Sequence, residues 1–175
     1  MSRLVFPLAF VIALITLVVI IQSFSKSQDF QTSSNSNTAI KNFSVIPFTA
    51  PQLKVVDSDN RTIDEQKIKS GKVFLTFWSV NCLECDQGLP VIDEFASTAS
   101  VIEFVLVSHK DELKLGQEKL SQLNIALKSY YDLTGEAFQE WEATMPSSYY
   151  IIDDQIRYLF PGRVSVEHLQ ALLTI

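Results

Sequence analysis

The chain of 175 residues is 47% hydrophobic and 19% charged, which supports one domain of ordinary size with its own core once non-globular segments are set aside. Its formal net charge is −6, and its Lys and Arg are scattered rather than clustered. Nucleic acid is therefore excluded as a partner, since binding a phosphate backbone requires a basic face.

Residues 4–21 are an apolar run interrupted only by Pro7 and Thr16, and at helical rise they would reach about 27 Å. The run is longer than the apolar region of a signal peptide. It is followed by Gln22-Ser23-Phe24-Ser25-Lys26 rather than a small-x-small cleavage site, so residues 1–21 read as an uncleaved transmembrane anchor. A cleaved signal is the rival reading, and a buried core helix a third. Arg3 and the amino terminus favour an orientation with the N-terminus inside and the rest of the chain outside.

Residues 22–42 turn to Ser, Thr, Asn and Gln without apolar periodicity, the composition of a flexible linker. As a coil it would reach about 25 Å. The folded head is expected to occupy residues 43–175.

Within the head, Leu53-Lys54-Val55-Val56, Asp57-Ser58-Asp59-Asn60 and Arg61-Thr62-Ile63 read as strand, tight turn and strand, an N-terminal β-hairpin. A short polar helix over Asp64 to Ser70 ends at Gly71. Val73 to Trp78 is then an apolar, β-branched and aromatic run of the kind that fills a buried central strand. Cys82 to about Thr98 keeps helical spacing through Leu89, Ile92, Phe95 and Ala96, with a kink expected at Pro90.

Val101 to Ser108 reads as a second buried strand, Lys110 to Leu123 as an amphipathic helix and Gly135 to Trp141 as a shorter one. Ser148 to Ile152 and Ile156 to Phe160 flank Asp153-Asp154-Gln155, a hairpin connection, and Val166 to Leu173 reads as a closing helix. Strands and helices alternate, so the class is α/β. No repeat of 20 to 50 residues is visible.

Only two cysteines occur, Cys82 and Cys85, at the expected start of a helix that follows a buried strand. A thiolate in the first helical turn is stabilised by unpaired backbone N–H groups and the positive end of the dipole, which lowers the pKa of the leading cysteine. Cys82 is thus the expected nucleophile. Cys85, one turn later, can attack a mixed disulfide formed at Cys82 and serves as the resolving thiol. Two plainer readings stand beside this one. A structural staple gains little from so short a loop, and a zinc site would need two more ligands from His109, His168 or carboxylates, with no second Cys or His pair to supply them.

The stretch Phe77-Trp78-Ser79-Val80-Asn81-Cys82-Leu83-Glu84-Cys85, with Pro90 five residues on, resembles the active site of the thioredoxin superfamily. Thr144-Met145-Pro146-Ser147-Ser148, leading into a strand, is similar to its cis-proline loop. With the N-terminal segment and hairpin, residues 43–175 resemble the exported TlpA, ResA and DsbE-like thiol-disulfide oxidoreductases. The resemblance implies a thioredoxin-like fold, a central mixed sheet flanked by helices, with the N-terminal hairpin added.

It also implies a redox-active Cys82–Cys85 disulfide, a cis Pro146 beside the sulfurs, Met145 backbone available to an extended substrate and Trp78 packed behind the site. No cofactor is implied. The implied partners are exported thiol or disulfide proteins and an inner-membrane electron donor of the DsbD or CcdA type. The implied location is the bacterial inner membrane, with the head in the periplasm or extracytoplasmic space.

The chain departs from this pattern at three positions. Asn81 stands where the family usually has Trp, which makes substrate contact there more polar. Thr76 and Gly88 occupy the places of the two familiar proton-accepting acids. Glu84, between the cysteines, is then the candidate for proton transfer, and its charge would oppose thiolate formation at Cys82, favouring a reductase. Glu84 and Asp86 also fit a solvated acidic surface that selects basic partners. An oxidase or isomerase, a thiolate metal-binding module and a redox-inactive binding module are the competing functions. Trp141 is expected in the core, His168 in a structural or solvent-facing role, and His109 outside the site.

Overall fold

The computed structural model describes residues 44–63 and 65–174. The expected anchor (1–21) and linker (22–42) lie outside the described residues, among which no helix is long and apolar enough to cross a membrane.

Six strands form one mixed sheet: β1 (Ser44–Thr49), β2 (Lys72–Trp78), β3 (Glu103–His109), β4 (Ser129–Asp132), β5 (Ser147–Ile152) and β6 (Gln155–Pro161), in the order β1-β6-β5-β2-β3-β4. β2, β3 and β4 run parallel, whereas β5, β6 and β1 join by antiparallel pairing. The helices are α1 (Glu65–Lys69), α2 (Leu83–Ala96), α3 (Leu113–Gln122), α4 (Glu136–Glu140) and α5 (Val166–Leu172).

β2 is buried from Val73 to Trp78 because both faces of the sheet are covered. Alternation divides its side chains between two cores. Val73, Leu75 and Phe77 pack with Val105, Val107, Tyr149, Ile151, Ala137 and Trp141. On the opposite face, Phe74 meets Ile92 of α2, Phe160, and Leu169 and Leu172 of α5, while Trp78 meets Leu89 of α2, Leu106 and Leu120 of α3. Such layering delivers the C-terminal end of β2 to the N-terminus of α2.

The expected N-terminal hairpin is present as its turn and a single antiparallel bridge, Val56 to Thr62. Asp57 holds the turn, its Oδ1 accepting the Asp59 and Arg61 amides at 2.9 Å each. The arm around Val56 is occupied on its other side by Tyr131, with reciprocal backbone bonds of 3.1 and 2.9 Å. It therefore covers the edge of β4 rather than extending a ladder of its own.

Two strands escape the sequence reading. β4 is four residues long, too short for a periodic signal. β1 precedes the apolar patterning and takes its place by pairing with β6. Between β5 and β6 the connection is two residues, Asp153 and Asp154, at φ 47° and 65°, the left-handed backbone that suits a tight hairpin turn. α2 continues through Pro90 to Ala96.

Phe77 packs edge-on against Phe138, Trp141 and Tyr149 at centroid distances of 5.7 to 5.9 Å. Phe77→Ala is expected to lower the unfolding free energy by about 3 to 5 kcal/mol through lost transfer energy and a residual cavity. Urea denaturation followed by tryptophan fluorescence measures this.

Candidate functional site

The site forms where β2 ends. After Trp78 the chain turns, with the Cys82 amide donating to Ser79 O at 3.2 Å, and Cys82 becomes the N-cap of α2 in extended backbone (φ −95°, ψ 103°). Its Sγ accepts the Cys85 amide at 3.1 Å. The same amide also donates to the Cys82 carbonyl at 3.1 Å, so the sulfur shares a donor of the first helical turn, the position that stabilises a thiolate once the pair is reduced.

Cys82 and Cys85 are joined by a disulfide. Their environments differ. Cys82 is half-buried, whereas Cys85 is 2% exposed and packed with Trp78, Leu89 and Leu106. Asn81, Leu83 and Glu84 are exposed around the sulfurs. Asp86, in the same first turn, is held by Lys119 of α3 at 2.7 and 2.8 Å, so its charge is paired within the fold.

Trp78 is fully buried behind the disulfide, and its Nε1 donates to Ser129 Oγ at 3.2 Å. The Met145–Pro146 peptide is cis, and the Pro146 carbonyl accepts the Gly162 amide at 2.9 Å. Pro146 and Cys85 line the same small cavity of about 10 Å³, together with Glu84, Thr76, Ser148 and Arg163. Met145 packs partly buried against the Trp78 and Cys85 cluster. The topology thus gathers Trp78, Cys82, Glu84, Cys85, Met145 and Pro146 at one end of the sheet, with Asn81 exposed in the loop just before Cys82.

The two positions that lack an acid have a defined structure. Thr76 and Ser148, partners across β2 and β5, share a hydroxyl–hydroxyl hydrogen bond of 2.8 Å in the interior. Gly88 is buried beneath the Arg163 side chain, whose Cγ lies 3.3 Å from where a Cβ at position 88 would sit. Arg163 donates to the Gln87 side chain there. Ser148 lies at the end of the stretch that resembles a cis-proline loop, whereas Arg163 belongs to no recognisable motif. They reach the cysteines only because β5 pairs with β2 and β6, which leads to Arg163, pairs with β5.

Trp141, His168 and His109, all read as lying outside the site, have defined places in the fold. Trp141 sits in the core and donates from Nε1 to Gln52 O at 3.0 Å. His168 closes the capping box of α5 with Ser165, and His109 stacks on Phe138 at 4.0 Å.

No protein-family model matches the chain, and no curated protein matches it by sequence. Solved structures do. A secreted disulfide oxidoreductase of Mycobacterium tuberculosis, homologous to DsbE of E. coli, superposes with a TM-score of 0.62 at 15% identity, covering 71% of this chain and 96% of that one. A thiol:disulfide interchange protein of the thioredoxin family from Chlorobium tepidum gives 0.63 at 15% identity, covering 75% and 97%. StoA from Bacillus subtilis gives 0.58 at 16% identity, covering 75% and 100%. The fold is that of thioredoxin. Within this thioredoxin-like fold the chain places its own Cys82-Leu83-Glu84-Cys85 pair, disulfide-bonded, at the start of α2.

The Thr76–Ser148 bond makes a specific energetic prediction. Thr76→Val leaves the Ser148 hydroxyl buried without its partner and is expected to cost about 1 to 3 kcal/mol, while adding Ser148→Ala recovers most of the loss. A double-mutant cycle by urea denaturation tests it.

Proposed function

We propose that this chain is a thiol-disulfide oxidoreductase that reduces disulfides of exported proteins. The observation that carries the reading is the unequal burial of the two sulfurs at a helix N-terminus, one accessible and one enclosed beside a cis proline. In the reduced protein the Cys82 thiolate attacks a substrate disulfide, forming a mixed disulfide and expelling one substrate thiolate. Cys85, as its thiolate, attacks Cys82 Sγ, expelling the second substrate thiolate and forming the internal disulfide. Two electrons pass to the substrate, and two protons complete its thiols.

A membrane dithiol donor of the DsbD or CcdA type would return the electrons by the same exchange. The apolar residues 4–21 support tethering to the inner membrane with the head in the extracytoplasmic space. Asn81, the Met145 backbone and Pro146 would receive an extended substrate segment, and Trp78 would support the pair from behind. Substrates of cytochrome c maturation or copper tolerance fit this chemistry.

Glu84 is the proton acceptor in this reading, since it lines the cavity that Cys85 also lines and no carboxylate stands at Thr76 or Gly88. Its charge also disfavours the Cys82 thiolate, which makes the dithiol the stronger donor.

An equilibrium redox titration of the purified full chain against dithiothreitol and glutathione is the test. A reductase gives a potential at or below about −250 mV, whereas a value of about −120 to −180 mV marks an oxidase or isomerase and overturns the assignment. Cys82→Ser is expected to abolish reduction of a protein disulfide in a coupled assay. Glu84→Gln is expected to raise the potential by on the order of 10 mV, the scale of one solvent-screened charge near the thiolate. A lowered potential would remove Glu84 from its electrostatic role.

A further inference from the structure

Asp111 is a buried carboxylate, 8% exposed, that no step of the cycle above uses. It lies just beyond the end of β3. Its Oδ2 accepts the Val80 amide at 3.0 Å and the Ser108 hydroxyl at 2.5 Å, and its Oδ1 accepts the Ser79 hydroxyl at 3.2 Å. A charge withdrawn from water is tolerated when such donors surround it. Two of the three donors belong to Ser79 and Val80, the turn between Trp78 and the cysteines.

From that turn the connection to the nucleophile is direct. The Ser79 carbonyl accepts the Cys82 amide, and Cys82 Sγ in turn accepts the Cys85 amide at 3.1 Å. Asp111 thus fastens Ser79–Val80 to the end of β3, and the fastened turn sets Cys82 in its N-cap conformation. Other titratable or charged groups about this corner are His109, Lys110 and Glu112 beside Asp111 in sequence, and Tyr131 of β4, whose pKa burial pushes up. On the helical side stand Glu84 and Asp86 of α2, the latter paired with Lys119 of α3.

We propose that Asp111 is a positioning residue for Cys82: it holds the Ser79–Val80 turn so that the sulfur stays on the Cys85 amide in the first turn of α2. The inference deepens the thiol-disulfide reading and rests on it. It also has a sign that separates it from a simple field effect. Loss of a neighbouring negative charge alone would lower the Cys82 pKa and speed its reactions, whereas loss of position removes the amide from the thiolate and raises the pKa.

The test uses the full chain, reduced and freed of reductant, with iodoacetamide as the probe from pH 5 to 10 and mass spectrometry to locate the label. Asp111→Ala is expected to raise the apparent pKa of Cys82 and to slow its alkylation at pH 7 by about 3- to 10-fold. Ser79→Ala combined with Ser108→Ala keeps the carboxylate and is expected to shift both in the same direction. That double variant decides the matter if Asp111→Ala does not fold.

An unchanged or lowered Cys82 pKa in folded variants, judged by circular dichroism, overturns the proposal. Alkylation needs only a reduced Cys82. A redox titration that contradicts the reductase assignment therefore leaves this result readable, and the reverse also holds.

Discussion

Everything at the site depends on the burial of β2. Six consecutive side chains from Val73 to Trp78 are removed from water, and this is possible only because helices α2, α3 and α5 cover one face while α4 and the segment before β2 cover the other. A strand so enclosed has one place at which its chain can reach solvent on the way to a helix. The cysteines stand there, so the apolar driving force that assembles the core also fixes where a sulfur meets an unpaired helix N-terminus.

The polar groups around the site are arranged in keeping with that constraint. Asp86 is neutralised by Lys119, Asp111 accepts from the Ser79–Val80 turn and from Ser108 at the end of β3, and Thr76 and Ser148 satisfy each other. Interior hydroxyls that bond mutually cost less than a lone buried carboxylate would. An interior without that acid is therefore a coherent alternative arrangement.

Much of this was legible in the sequence because the signals are local. The apolar run Val73 to Trp78, the Cys82–Cys85 spacing and Met145-Pro146 each announce themselves within a few residues, and the alternation of strand and helix gives the α/β class. What the sequence conceals is juxtaposition. Arg163 and Asp111 have ordinary neighbours, and only the β6-β5-β2-β3 pairing brings them to the cysteines. β4 was hidden by its length and β1 by its dependence on β6. The hairpin arm at Val56 appeared as a strand because its composition suits one, yet its backbone is spent on the edge of β4.

The enclosure of Cys85 has a kinetic meaning for any partner. A sulfur that solvent hardly touches can be reached from within, by Cys82, far more readily than by a thiol from outside. In the proposed cycle a covalent complex formed at Cys82 would therefore face an internal competitor held at high effective molarity, while free thiols in the surroundings would have to collide with it from dilute solution. In the proposed cycle the lifetime of such a complex would be governed by the fold rather than by the ambient thiol concentration, and the protein would release its partner on its own clock.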